Sequence, residues 1–92
     1  MARTVEVSKK QTFRFANPAA LSVLLVGDFT QWQAKAIPMH KGKDGIWTAG
    51  LELSPGKHTY RFIVDGEWRD DPECTLRVAN AYGGQNMVRQ VV

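Results

Sequence analysis

Two of the three tryptophans stand where a core tryptophan would not. Trp32 lies in "GDFTQWQAK", a polar stretch after an apolar run, and Trp68 lies in "VDGEWRDDP", just past a turn and between Glu67 and Arg69. Neither has the alternating neighbours of a core strand. An indole left at the surface offers a flat apolar face with a polar rim, suited to a partner that is itself part apolar and part polar. A sugar ring is such a partner, with C–H groups on its faces and hydroxyls around its edge. Arg61, between Tyr60 and Phe62, adds five N–H donors in a rigid fork that match hydroxyl oxygens.

Residues 65 to 73 also gather Asp65, Glu67, Asp70, Asp71 and Glu73. Glycoside hydrolysis uses two carboxylates about 5–10 Å apart across the scissile bond. Here the acids occupy a turn and its exit, which reads as solvated loop charge. Asp70 and Asp71, being adjacent, point to opposite faces of an extended segment. His40 and His58 have no ligand-like spacing to each other or to Cys74, so no metal site is expected. Gly83-Gly84 is too short to cradle a phosphate, and no Ser-His-Asp context occurs. The expectation is a binding protein, not an enzyme, with no cofactor.

The elements that must position these residues are strands. Period-two alternation broken by turn residues dominates the chain. It predicts strands over "TVEVS", "QTFRFA", "LSVLLVGDF", "IWTAGLEL", "HTYRFIVDG", "CTLRVAN" and "NMVRQVV". A loop is expected over residues 28–33, and Ser54-Pro55-Gly56-Lys57 reads as a tight turn. Asp65-Gly66 predicts a type I′ hairpin turn, whose two central residues both need positive φ. About seven or eight short strands at intervals near ten residues indicate a β-sandwich, with a barrel as the alternative. Its predicted core comprises Phe13, Val23, Leu25, Trp47, Leu51, Tyr60, Phe62, Val64 and Val88. Arg61 is predicted on the opposite face of its strand, sharing the outer surface with Trp68.

The 92 residues suit one domain, residues 1–92. The net charge of +3 is spread along the chain and not gathered in a stripe, which argues against a nucleic-acid partner. One cysteine allows no internal disulfide, and no stretch approaches the ~20 apolar residues of a membrane span. A cytoplasmic protein with no membrane partner is the expectation.

In combination, "VLLVGDFTQW", "IPM", "DGIWTAGLELSPGKHTYRFIVDGEWRDDP" and "GGQNMVRQVV" resemble the glycogen-binding domain of the AMP-activated protein kinase β subunit. They also resemble the early-set domains that precede isoamylase and glycogen-branching enzyme catalytic domains, together carbohydrate-binding module family 48. The resemblance covers about residues 11–92. It implies an all-β, immunoglobulin-like (early-set) sandwich that binds α-1,4-glucans such as glycogen, starch or maltooligosaccharides. It implies stacking by Trp32 and Trp68, and a basic residue at Arg61, often lysine in the family. It further implies an amide from Gln85 or Asn86 and a loop contact at Tyr82. A glycogen-metabolising enzyme is an implied second partner. The alternative is a protein-interaction or regulatory module on the same scaffold, its tryptophans serving as contact hot spots.

Overall fold

The structure, a computed structural model, describes residues 8–81 and 83–92. Residues 4–7 of the predicted first strand, and Tyr82, lie outside the described residues; Ser8 is exposed and not in a strand. The strands are β1 (Lys9–Ala16), β2 (Val23–Gly27), β3 (Ile37–Pro38), β4 (His40–Lys41), β5 (Ile46–Leu53), β6 (Gly56–Val64), β7 (Glu67–Arg69), β8 (Arg77–Ala79) and β9 (Gln85–Val91). β3 and β4 are two-residue pieces. They form two sheets: β1-β5-β4, and β3-β2-β6-β9-β8 with β7 also paired to β6. Every pairing is antiparallel. Two sheets facing across one core make a sandwich and not a barrel, as the strand spacing predicts, with the immunoglobulin-like layering that the resemblance implies.

Several boundaries depart from expectation. The segment 28–33 is not a plain loop, because it holds 3₁₀ turns at Asp28–Thr30 and Trp32–Lys35. The final strands are β8, shorter than "CTLRVAN", and β9, one residue earlier than "NMVRQVV". Ser54-Pro55 joins no hairpin. It carries the chain from β5 in one sheet to β6 in the other, with Gly56 at φ 128° supplying the bend.

The core forms because β6 alternates. Tyr60, Phe62 and Val64 point inward against Phe13, Phe15, Trp47, Ala49 and Leu53 of the other sheet. Phe13 meets Tyr60 edge-on at 4.8 Å, and Phe15 meets Phe62 at 5.1 Å. Such aromatic pairs add about 0.5–1.5 kcal/mol each beyond the area they bury. Leu51 is only partly buried against this cluster. Val88 is a correction to the expected core. It is buried but pairs with Thr59 on the outer face, while Met87 and Val91 take the inner positions of β9. Arg89 ties the two sheets together. It lies 4.0 Å from the Phe13 ring and donates to Gln11 Oε1 at 3.1 Å and to the Thr12 carbonyl at 3.2 Å.

Asp71 is a buried carboxylate. Its Oδ2 accepts from the Tyr60 hydroxyl at 2.7 Å and its Oδ1 from the Glu73 N–H at 2.9 Å. Burial, and then the bond to Asp71, push the Tyr60 phenol well above the usual 10.0. A raised phenol pKa contributes stability that is full below the unfolded value of 10.0 and lost as pH rises through the folded value. Tyr60→Phe would leave a buried carboxylate short of a donor. It is expected to lose about 1–3 kcal/mol of stability, read as a lower urea midpoint at constant m.

Candidate functional site

The outer face of the larger sheet is not uniformly polar. Val26, Ile63 and Val88 point outward by alternation, yet all are buried. Register brings cover to them. Arg61 lies beside Val26, and Trp68 lies opposite Ile63. Arg61 and Trp68 also border a hollow of about 720 Å³, lined by Trp32, Arg61, Trp68 and Asn86, with Gln33, Asn80 and Ala81 completing its wall. That volume falls within the range of small-molecule sites, about 300–1,000 Å³.

Three of the expected residues, Trp32, Arg61 and Trp68, therefore meet in one place, as does Asn86. Gln85, the other candidate amide, starts β9 exposed and does not line the hollow. Tyr82 lies outside the described residues. Gln33, Asn80 and Ala81 are not singled out by the sequence, because residues in loops and short turns carry no periodicity.

Trp68 is held by its hairpin. Asp65 (φ 50°) and Gly66 (φ 85°) both take the positive φ that the predicted turn requires. The Asp65 carboxylate also accepts from the N–H groups of Leu21 and Ser22, each at 2.9 Å, fixing the turn to the loop before β2. Trp68 remains 40% exposed, so its face is accessible.

Trp32 is held by strain and its compensation. Gln31 (φ 52°) and Trp32 (φ 56°) both sit in the left-handed region. For a bulky residue this is an outlier that costs on the order of 1–3 kcal/mol. Thr30, buried, offsets it: its Oγ1 accepts from Gly27 N at 2.9 Å and lies 2.8 Å from the Trp32 carbonyl. Asp28 pins the same turn to β6 by accepting from Thr59 N at 3.0 Å. Gly27 must lack a side chain here, since a Cβ would come within 2.5 Å of the Thr59 carbonyl.

Arg61 is held by charge. Its Nη2 donates to Asp70 Oδ1 at 2.9 Å, and its guanidinium lies 5.4 Å from the Trp68 ring centroid. Its Nε is buried and has no hydrogen-bond partner among the described residues. An unpaired buried N–H costs about 1–3 kcal/mol, so this orientation is imposed by Asp70 and the indole. Asn80 Nδ2 donates to Asn86 Oδ1 at 3.2 Å. Arg61 offers N–H donors to the hollow, and with Asn86 Oδ1 engaged, the amide nitrogen of Asn86 also remains to donate. Hydroxyl oxygens match such donors.

Two indoles, a guanidinium and an amide thus meet around one open hollow of an immunoglobulin-like β-sandwich. The chain belongs to the family described as the glycogen recognition site of AMP-activated protein kinase, whose pattern matches residues 10–92. It is 43% identical over 64 residues to Protein PTST homolog 2, chloroplastic, of Arabidopsis thaliana, covering 70% of this chain and 12% of that protein. It is 35% identical over 69 residues to the 5'-AMP-activated protein kinase subunit beta-1 of Rattus norvegicus, covering 75% of this chain and 24% of the subunit. Among solved structures, the apo pullulanase of Paenibacillus barengoltzii superposes with a TM-score of 0.60 at 25% identity, covering 94% of this chain and 14% of that one. The chain thus spans a small part of each of these proteins. Among the described residues, no helix is long and apolar enough to cross a membrane.

Thr30→Val keeps the shape of the side chain and removes its hydroxyl. It is expected to cost about 1–3 kcal/mol and to loosen Trp32, raising acrylamide quenching of tryptophan emission. An unchanged urea midpoint with unchanged quenching would refute the role given to Thr30.

Proposed function

We propose that residues 1–92 form one non-catalytic module that binds α-1,4-glucans. Trp32 and Trp68 stack on sugar faces, while Arg61 and Asn86 donate to hydroxyl oxygens. The observation that carries this reading is the convergence of both indoles and the guanidinium on one open hollow, in a chain of the glycogen recognition family. Gln33 and Asn80 would extend the polar rim.

The absence of a catalytic role is supported by how the nearby acids are engaged. Asp70 pairs with two arginines, Glu67 pairs with Arg69, Asp65 caps two backbone N–H groups and Asp71 is buried under Tyr60. None is presented as a pair across the hollow. A cytoplasmic setting belongs to the same proposal. Two relatives carry "chloroplastic" in their names, and the glucan chemistry is the same in either compartment. Attached to a glycogen-metabolising enzyme, such a module would tether it to the polymer, and many chain ends would raise avidity.

Two stacked rings and a few hydroxyl contacts predict a Kd between roughly micromolar and millimolar, about −4 to −8 kcal/mol. Tryptophan fluorescence titrated with maltoheptaose is expected to change saturably, and with cellohexaose not at all. Trp32→Ala and Trp68→Ala should each weaken binding about tenfold or more. Raising salt should leave the affinity nearly unchanged, because no phosphate is contacted. No response to either sugar at millimolar concentration would overturn the proposal, and a protein ligand of the same indoles would then be sought.

A further inference from the structure

We infer that Asp70 is a positioning residue for glucan binding, acting through Arg61, and that Arg77 anchors Asp70 in turn. The inference deepens the glucan-binding reading and rests on it.

Three observations carry it. First, Asp70 directly follows β7, whose last residue Arg69 pairs with Phe62, the neighbour of Arg61. The two oxygens of Asp70 divide between two arginines. Oδ1 accepts from Arg61 Nη2 at 2.9 Å, and Oδ2 accepts from Arg77 Nη1 at 3.2 Å. Second, Arg77 is fixed from behind by backbone: its Nε donates to the Cys74 carbonyl and its Nη2 to the Asp71 carbonyl, both at 3.2 Å. Position therefore passes from main chain to Arg77, to Asp70, to Arg61. Third, the chain of contacts ends in the hollow, where the Arg61 guanidinium lies 5.4 Å from the Trp68 centroid with its Nε buried and unpaired among the described residues. A guanidinium left to itself would turn that N–H toward an acceptor or solvent. Because the group is planar, holding Nη2 sets the plane of the whole fork. An ammonium, a point charge on a flexible stem, would gain no direction from the same carboxylate. Asp70 thus does for Arg61 what it could not do for a lysine: it aims the donors.

The test is a four-protein cycle of wild type, Asp70→Asn, Arg61→Met and the double variant, titrated with maltoheptaose. Asp70→Asn is expected to weaken binding about three- to tenfold. In the Arg61→Met background the same change should alter affinity by less than about twofold. If Asp70→Asn alone stays within about twofold of wild type, or if the two losses multiply, the inference is overturned. A second reading needs no sugar. The Arg61 Nε–H signal in ¹H–¹⁵N spectra should be slow to exchange in wild type and fast in Asp70→Asn. If the wild type fails to bind maltoheptaose, the glucan reading falls, while this spectrum still reports on the clamp. Unchanged exchange would sink the clamp itself.

Discussion

The two-residue period of β6 is the constraint on which the rest depends. One strand serves two environments. Tyr60, Phe62 and Val64 are packed in the core, and Thr59, Arg61 and Ile63 build the outer face. A slip of one residue would drive a guanidinium into the core and expose two aromatics, so register is strongly specified. The same strand pairs with β2, β7 and β9, and it receives the Asp28 carboxylate at Thr59. Fold and site are therefore not separable here. The strand that carries Tyr60 and Phe62 into the core is also the strand that presents Arg61.

The outer face creates a problem that the site resolves. Three buried aliphatic residues, Val26, Ile63 and Val88, lie outside the inter-sheet core and need cover. Arg61 flanks Val26 and Trp68 flanks Ile63, with the arginine stem apolar and only its head charged. This surface costs something to hold. Trp32 takes a left-handed backbone and Arg61 leaves an N–H unpaired. Both costs are offset by polar groups placed nearby, Thr30 in one case and Asp70 in the other.

The acids of residues 65–73 show how far sequence patterning can be read. Alternation correctly separates Asp70 from Asp71, one toward solvent and one inward. It does not reveal that Asp71 is buried under the Tyr60 hydroxyl, because that bond joins residues eleven apart through the fold. Nor does it reveal that Arg77 meets Asp70. Val88 fails for a related reason. β9 places two apolar residues side by side, and only its pairing with Thr59 and Tyr60 tells which one faces the core.

The sequence by itself determined the all-β sandwich class, the Asp65-Gly66 turn and the inward row of β6, and it singled out Trp32, Arg61 and Trp68. These follow from local rules: alternation, turn dihedrals and the misplacement of an indole among polar neighbours. Tertiary structure alone decided that these residues share one hollow, that Asn86 and not Gln85 lines it, and that Gln33 and Asn80 join its wall. Those outcomes depend on which strands pair and on how two loops approach each other, and no local dihedral preference encodes a distance between loops.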